Sequence, residues 1–275
     1  MTEPDRGAAL ETIAAEVRAC TRCRLHETRT KAVPGEGNPE TEVVFVGEGP
    51  GFNEDREGRP FVGRAGALLV KFLATLGWQR DDVFITNIVK CRPPENRDPE
   101  PDEIAACAPY LQRQLQILDP ALVVTLGRHS LGRFMPGERI SAAHGTVRPV
   151  DPTTGAANAL AFALYHPAAA LRATEIERTS YADVARIPAA LVESRARRTA
   201  AAASAVATAP AALAPELAPI EPAQAEPSPI EPAQPEASPA EADPAELAQA
   251  EPAGSPPAFI IPSDPSGSDD QLTLF

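Results

Sequence analysis

Four motifs able to do chemistry each lie at the end of a short apolar segment or just past it. They are, in chain order, the glycine turn Gly47-Glu48-Gly49-Pro50-Gly51 after residues 43–46, Asn87 after 83–86, Gly127 after 122–126, and His166-Pro167 after 161–165. An Asn carboxamide offers a ligand one acceptor and two donors, and an imidazole can hydrogen-bond a developing charge. A glycine turn lets backbone N–H groups approach a ligand closely, because no Cβ intervenes. Together these groups predict a site for a small molecule or a nucleic-acid base.

The apolar segments indicate how these motifs are positioned. They are short and rich in β-branched or aromatic residues, and the stretches between them are long enough for crossover helices. This pattern predicts a parallel sheet buried on both faces, with ligands bound outside the carboxyl ends of its strands. The periodicity of apolar residues predicts helices over 8–19, 64–76, 101–117, 128–134 and 175–194. Loops are expected over 24–41 and the proline-rich 92–99, and a loop with one edge strand over 136–158.

Composition divides the chain after Arg198. The last 77 residues contain no Lys or Arg, 15 of the 31 prolines and 12 of the 38 acidic residues. The first 198 residues therefore carry 26 acidic against 25 basic side chains, so the net charge of −13 does not argue against a nucleic-acid partner for the folded part. We predict a folded domain over 1–198 and a disordered Pro/Ala/Glu-rich linker over 199–268, because the linker cannot bury enough apolar surface to offset its ordering entropy.

The sequence gives no sign of a membrane or a secretory route. No run of 18 apolar residues occurs, and the N-terminal segment carries Glu3, Asp5 and Glu11 without an apolar signal core. We therefore expect no membrane partner, and a protein that resides in the cytoplasm.

All four cysteines fall in the predicted domain. Cys20 and Cys23 form a Cys-x-x-Cys pair, and Cys91 and Cys107 follow later. In a reducing compartment, cysteines in this pattern favour metal ligation over disulfides. Four thiolates suit either zinc or a [4Fe–4S] cluster, and the spacing alone does not distinguish the two. Basic neighbours would help to hold the thiolates ionised: Arg22, Arg24, Lys90 and Arg92.

Several motifs closely resemble those of family 4 uracil-DNA glycosylases, the iron–sulfur class of that superfamily. The matching segments are Gly47-Glu48-Gly49-Pro50-Gly51-Phe52-Asn53-Glu54-Asp55, Pro60-Phe61-Val62-Gly63-Arg64-Ala65-Gly66, Thr86-Asn87-Ile88-Val89-Lys90-Cys91-Arg92-Pro93-Pro94 and Tyr165-His166-Pro167-Ala168. The resemblance covers about residues 10–195. It implies an α/β/α sandwich around a four-stranded parallel sheet, a [4Fe–4S] cluster on Cys20, Cys23, Cys91 and Cys107, and removal of uracil from DNA.

The resemblance gives each pocket residue an expected role. A glycosylase must flip its target base out of the duplex, and Phe61 is then expected to stack on uracil while Asn87 reads its O4/N3 edge. His166 would hydrogen-bond the charge on O2, and the turn Gly47-Glu48-Gly49 would bring backbone N–H groups to the ligand. Glu48 and Glu54 are both candidates for the carboxylate that stabilises the sugar cation and orients a water. The sequence does not decide between them.

Further expectations concern DNA and the remaining charged residues. Basic side chains near the pocket would contact phosphates, and Leu171 could insert into the duplex; the candidate phosphate contacts are Arg64, Arg92, Arg97 and Arg172. We interpret Asp55 and Glu57 as solvated loop carboxylates. The other histidines, His26, His129 and His144, are interpreted as surface or structural residues.

Two other functions are compatible with such a domain. One is a module that binds uracil or damaged DNA without turnover, and the other is a metal-stapled adaptor protein. The two carboxylates and His166 favour an enzyme over both. Cleavage of abasic sites after incubation with uracil-containing DNA would separate catalysis from binding.

The extreme C-terminus carries a separate motif. The chain ends in an apolar cluster on a polar tail, and residues 271–275 resemble the Gln-Leu-x-Leu-Phe peptides that dock on bacterial DNA sliding clamps. In that interpretation Leu272, Leu274 and Phe275 supply apolar contacts and Gln271 bonds at the pocket rim. We therefore predict a clamp-binding peptide over 269–275, tethered by the linker to a domain that acts as a monomer.

Overall fold

Six strands form one mixed sheet in the part of the chain that the computed structural model describes, which is the backbone of residues 5–208 and the side chains of residues 5–204. The spatial order of the strands is β1-β3-β2-β4-β6-β5. The strands are β1 Glu36–Gly37, β2 Val43–Gly47, β3 Phe84–Asn87, β4 Leu122–Leu126, β5 Val147–Pro149 and β6 Leu160–Leu164.

The four central strands are parallel, as the sequence predicts. Strand β2 pairs with β3 and β4, and β4 pairs with β6, all in parallel register. Gly47 lies opposite Asn87, and Leu126 lies opposite Leu164. The motifs that end these strands therefore meet at one edge of the sheet.

Two short antiparallel strands extend this sheet at its edges. β5 is the edge strand expected within 136–158, and it pairs with β6. β1 lies in the segment predicted as loop, where Glu36 and Gly37 pair with Ile85 and Phe84. A two-residue strand without apolar alternation leaves no periodic signal, so only the pairing with β3 reveals it.

Helices cover both faces of the sheet and form a three-layer α/β/α sandwich. Alternate strand residues point to opposite faces, so Val44 packs with the cluster of α1, α4 and α5, whereas Phe45 packs with α3, α8 and α9. The helices are α1 Arg6–Ala19, α2 Phe52–Glu57, α3 Arg64–Thr75, α4 Pro101–Leu118, α5 Arg128–Phe134, α6 Ile140–Ala143, α7 Pro167–Ala170, α8 Thr174–Val184 and α9 Ile187–Thr208.

The C-terminal helices differ from the prediction in two ways. The helix expected over 175–194 is two helices, because α8 ends at Val184 and α9 begins at Ile187. Pro188 occupies the first turn of α9, where its missing N–H is tolerated. Helix α9 also continues to Thr208, so the linker predicted from residue 199 does not begin there. The alanine-rich stretch after Arg198 has high helix propensity, and its first proline is Pro210.

The rest of the predicted linker and the predicted clamp peptide lie outside the described residues. No described helix is both long and apolar enough to cross a membrane.

Candidate active site

A cavity of about 440 Å³ opens at the carboxyl edge of the parallel strands. Residues from the glycine turn, β3, the loops that follow β3 and β6, and helices α2, α3, α5 and α7 line it. The lining residues are Glu48, Gly49, Pro50, Gly51, Glu54, Phe61, Ala65, Asn87, Pro93, Asn96, Arg97, Asp98, Arg128, His166, Ala168, Ala169 and Arg172.

Asn87 ends β3 and lies at the floor of this cavity. Its side chain is buried at 1% exposure, and its carboxamide oxygen has no hydrogen-bond partner among the described residues. Gly47 lies beside it on β2, where an added Cβ would overlap that oxygen and approach the Phe61 ring to 2.6 Å. Only glycine at position 47 therefore leaves room for this pairing of amide and ring.

Phe61 is held in the left-handed backbone region, with φ at 52°. That conformation costs a non-glycine residue about 1–2 kcal/mol, so neighbouring bonds must hold it. Arg80 donates to the carbonyls of Pro60 and Phe61 at 2.6 and 2.9 Å. The N–H groups of the two residues after Phe61 donate to Glu54. These bonds fix the ring in the cavity, 5.7 Å from the His166 ring centroid to centroid.

His166 follows β6 and caps α7. Its Nδ1 accepts a hydrogen bond from the Ala168 N–H at 3.1 Å. Burial lowers the pKa of His166 to about 4, with Glu54 raising it and Arg172 lowering it. The ring is therefore neutral at physiological pH, and because Nδ1 is an acceptor, the proton resides on Nε2. Nε2 is left as a donor for a ligand.

The two candidate carboxylates differ in their surroundings. Glu54 accepts from the Gly51, Val62 and Gly63 N–H groups at 3.1, 2.9 and 2.9 Å. Its oxygens hold the start of α2 and the segment after Phe61. Glu48 makes no hydrogen bond with its side chain among the described residues, and 29% of that side chain is exposed. Glu48 is thus the carboxylate with free acceptor capacity.

A histidine and a second carboxylate flank Glu48. His129 Nε2 lies 3.9 Å from Glu48 Oε2 and 3.4 Å from Asp98 Oδ1, and Arg128 pairs with Asp98. The nitrogen of His129 is buried without a hydrogen bond among the described residues. Desolvation raises the pKa of Glu48; Asp98 raises it further, whereas His129 and Arg128 lower it.

The four cysteines converge on a second site, separate from this cavity. All four are free thiols, and they line one small cavity together with Arg29, Lys90 and Tyr110. Three N–H groups point at sulfur: Arg29 Nη1 to Cys91 at 3.1 Å, Lys90 N to Cys107 at 3.3 Å and Arg22 N to Cys20 at 3.5 Å. Burial raises the pKa of Cys107 to about 11 and also raises those of Cys23 and Cys91. Such buried thiols ionise when a cation binds them, so the donor set fits a four-thiolate metal centre.

Comparison with known proteins settles the family. Residues 34–187 match the profile of the uracil DNA glycosylase superfamily. The chain belongs to this superfamily. It is 51% identical to a type-4 uracil-DNA glycosylase of Sulfurisphaera tokodaii over 174 residues, which are 59% of this chain and 76% of that protein.

Two further relatives carry the same description. The type-4 uracil-DNA glycosylase of Saccharolobus solfataricus is 48% identical over 186 residues, covering 66% of this chain and 86% of the relative. That of Thermotoga maritima is 44% identical over 181 residues, covering 65% and 93%. The resemblance to the type-4 class that the motifs indicate is therefore confirmed.

Within this superfamily member, the residues predicted for the pocket do come together. Glu48, Gly49, Glu54, Phe61, Asn87 and His166 all line the cavity, and Gly47 packs beneath Asn87 and Phe61. Among the predicted DNA contacts, Arg97 and Arg172 line the cavity, whereas Arg64 and Arg92 do not.

The residues predicted to contact DNA differ in whether their side chains are already bound within the protein. Arg97 is held in a two-bond ion pair with the fully buried Glu103, at 2.9 and 2.7 Å, so its guanidinium has a structural role. Arg64 and Arg172 are exposed and pair with no carboxylate among the described residues. Leu171 is 38% exposed beside the cavity.

One interpretation of the sequence needs correction, and one residue needs a fuller description. Asp55 is not a solvated loop carboxylate: it is 2% exposed and accepts from the Thr30 N–H at 2.9 and 3.1 Å. Its place inside α2 hides this role, because the partner lies 25 residues earlier. His129, predicted as a surface or structural residue, contacts the carboxylates at the cavity mouth. The one sequence signal for a position of His129 near the site is that its helix starts directly after Gly127, at the end of a strand.

Proposed function

We propose that this protein hydrolyses the N-glycosidic bond of uracil in DNA, releasing free uracil and leaving an abasic site. The observation that carries the proposal is the Asn87 carboxamide, buried in the cavity with its oxygen unpartnered among the described residues. A buried polar atom without a partner costs about 1–3 kcal/mol, so the site calls for a ligand with a donor. The N3–H of uracil is such a donor, and the Asn87 amide N–H can in turn donate to O4.

The same contact gives the selectivity. Cytosine presents an acceptor at N3 and a donor at its 4-amino group, which is the reverse of the uracil edge. Cytosine would therefore leave both polar atoms of the Asn87 carboxamide mispaired. A site built to hydrogen-bond one edge rejects an analogue that lacks it more strongly than an apolar pocket could.

The departing uracil leaves as an anion, and His166 is placed to receive it. Its neutral ring keeps the proton on Nε2, which can donate to the charge that develops on O2. A donor that is already oriented and desolvated stabilises developing charge without reorganisation. Phe61 supplies the stacking face beside His166.

The sugar becomes positively charged as the bond breaks, and we assign its stabilisation to Glu48. This carboxylate has free acceptor capacity at the cavity wall, so it can hold the attacking water on the sugar side. Glu54 instead acts as a positioning residue, because its oxygens are occupied by three backbone N–H groups. It holds the glycine turn and the Phe61 segment in place.

DNA would be gripped by exposed basic residues around the cavity. Arg172 and Arg64 have free guanidinium groups for phosphates, and Arg92 lies on the loop after β3. Leu171, on the same loop as Arg172, is placed to occupy the space that a flipped nucleotide leaves. Arg97 contributes indirectly, because its ion pair with Glu103 fixes the loop after β3.

A strand-cleavage assay tests the activity. The purified protein is incubated with oligonucleotides that contain a single uracil or a single cytosine, and abasic sites are then cleaved with alkali. We expect cleavage of the uracil strand without added metal or nucleotide. Retention of uracil-containing DNA without cleavage would instead indicate the binding module, and the proposal would fail.

The cysteine site is proposed to hold a [4Fe–4S] cluster on Cys20, Cys23, Cys91 and Cys107. Four thiols around one centre with several N–H groups directed at sulfur support this assignment over ordinary buried cysteines. The cluster would staple α1, α4 and the loop after β3 together, and no step of the reaction passes through it. Anaerobically purified protein should be brown with about four irons per chain, and stoichiometric zinc without iron would contradict the assignment.

The C-terminal peptide is proposed to tether the enzyme to a DNA sliding clamp. Gln271, Leu272, Leu274 and Phe275 carry the motif, and the residues before them would raise the local concentration of the enzyme near newly made DNA. With chromosomal DNA as the proposed substrate, the enzyme is proposed to act in the cytoplasm, in association with the nucleoid. The enzyme is proposed to act as a monomer.

Deletion of residues 271–275 tests the tether. The truncated protein should lose clamp binding in a pull-down while it excises uracil from short oligonucleotides at the full-length rate. Equal clamp retention by both proteins would refute the tether and leave the catalytic proposal unaffected.

A further inference from the structure

An exposed aromatic side chain at the start of α2 has two arginines close to its ring. Phe52 is 52% exposed, which is unusual for a residue with so large an apolar surface. Arg56, one turn later on the same helix, places its guanidinium carbon 5.5 Å from the ring centroid. Arg92, from the loop after β3, does so at 5.2 Å.

This Phe52 cluster, comprising Phe52, Arg56 and Arg92, lies at the rim of the catalytic cavity. Gly51 and Glu54, on either side of Phe52 in the chain, both line the cavity. Arg92 donates to the Asn96 side chain at 2.7 Å, and Asn96 also lines the cavity. The cluster therefore lies where a nucleotide next to the bound base would pass.

The charge of this cluster is not neutralised by the protein. Across the described residues, neither Arg56 nor Arg92 has a carboxylate within ion-pairing distance, whereas Arg59, three residues after Arg56, pairs with Glu36 at 2.8 Å. Two unpaired guanidinium groups around an exposed ring leave an aromatic surface with excess positive charge. Stacking faces combined with cationic groups are what proteins use to bind single-stranded nucleic acid.

We propose that the Phe52 cluster binds the nucleotide adjacent to the flipped uridine, with the base stacked on Phe52 and the neighbouring phosphates paired with Arg56 and Arg92. This inference rests on the proposed uracil-DNA activity. Extruding the uridine removes a stacking partner from the next base, and the exposed ring replaces it. Because every base has a π-face, this contact strengthens binding without selecting a sequence.

Steady-state excision from a single-stranded oligonucleotide with one uracil tests the surface. We expect Phe52→Ala to raise KM about tenfold with kcat within about twofold, because stacking on one aromatic is worth this much or more. Phe52→Tyr should restore the wild-type KM. Arg56→Gln should raise KM and make the logarithmic salt dependence of binding shallower by about one unit. Val192→Ala, an exposed apolar residue on α9, is the matched control and should change neither parameter.

A direct binding measurement separates this inference from the activity. Phe52→Trp places an indole in the cluster, and its fluorescence should be quenched by a thymine oligonucleotide that contains no uracil, whereas Val192→Trp should not respond. If the wild-type protein excises uracil but Phe52→Ala leaves KM unchanged, the cluster has no role in DNA binding. If Phe52→Ala lowers kcat and thermal stability together, the ring is a packing residue and the inference is wrong. Absence of excision by the wild type would overturn the catalytic proposal, while quenching of Phe52→Trp would still support the cluster.

Discussion

The cysteine site and the catalytic cavity are only four residues apart in the chain, at Cys91 and Asn87, yet their buried polar atoms differ in whether they have hydrogen-bond partners. At the cysteine site, N–H groups point at sulfur, and Arg29 and Lys90 supply two of them. In the cavity, the Asn87 carboxamide oxygen is buried without a hydrogen bond among the described residues; at the cavity mouth, His129 Nε2 also lacks one, with an Asp98 oxygen 3.4 Å away.

Lys90 lies between Asn87 and Cys91 in the chain. Like the groups of the cysteine site, its buried ammonium has hydrogen-bond partners. It is 1% exposed, and its ammonium donates to Thr86 Oγ1, the Asn87 carbonyl and Gln114 Oε1 at 2.5, 2.9 and 2.7 Å. Burial lowers its pKa to about 8. Satisfied buried groups indicate a structural part, and unsatisfied ones indicate a place for a ligand. Mutations on the two sides should therefore affect different observables.

The largest effect on excision is expected at Asn87. Asn87→Asp should lower kcat/KM for uracil by about 100-fold or more, because a carboxylate cannot donate to O4 and repels the developing charge. The same carboxylate can accept from the 4-amino group of cytosine, so the ratio of cytosine to uracil excision should rise. Single-turnover assays on paired oligonucleotides measure both rates. Full uracil activity in Asn87→Asp would show that the carboxamide does not read the base.

The pair Glu48 and Glu54 should separate catalysis from positioning. Glu48→Gln should reduce kcat about 100-fold with little change in melting temperature, since no hydrogen bond of the fold is lost. Glu54→Gln should reduce activity and also destabilise the fold by about 1–3 kcal/mol, because backbone N–H groups lose a charged acceptor. Denaturant unfolding and kcat are measured on both variants. If Glu48→Gln destabilised the fold and Glu54→Gln did not, the two roles would be exchanged.

A smaller effect is expected at His129, and it should appear in the pH profile. Excision needs Glu48 ionised, so activity falls as pH drops through the pKa of Glu48, which burial raises. Of the charged groups around Glu48, Asp98 raises that pKa, and His129 and Arg128 lower it. Removing His129 should thus raise it further and move the acidic limb to higher pH.

Two variants of His129 sharpen this test. His129→Ala should lower kcat about tenfold, and His129→Gln, which keeps an N–H donor, should recover part of the rate while the acidic limb stays shifted. Arg133→Gln, on the same helix but bonded to Thr153, is the control and should match the wild type. An unshifted acidic limb in both His129 variants would mean that this histidine does not act on Glu48.

Much of the fold could be predicted because its signals are local. The apolar segments and the helical periodicity place the four central strands and most helices, and the strand-end rule brings Asn87 and His166 to one edge. Helix α2 was not predicted, because its polar residues show no apolar stripe and Asp55 turns inward to Thr30. The break before α9 was also not predicted.

The roles within the site depend on contacts between distant residues, so the sequence could not assign them. Glu54 differs from Glu48 because three backbone N–H groups donate to it, and two of them belong to Val62 and Gly63, eight and nine residues later. His129, on α5, meets Asp98 on the loop after β3. Motif positions show which residues gather, but the hydrogen bonds decide which of them remain free to act.

The smallest effect on excision per folded molecule is expected on the cysteine side. Cys91→Ala removes one of four sulfurs, so the protein should lose most of its iron and a large part of its soluble yield. Its melting temperature should fall on the order of 10 °C, because metal binding contributes folding energy where the site exists only in the folded state. The soluble fraction should nevertheless excise uracil at a rate within a few-fold of the wild type, since Asn87 is also held by the pairing of β3 with β2. Iron analysis, calorimetry and active-site titration on the same sample measure the three quantities. A variant that kept its stability but lost excision would contradict the division into a structural cysteine site and a catalytic cavity. The cysteine site would then contribute to the reaction and not to the stability of the fold.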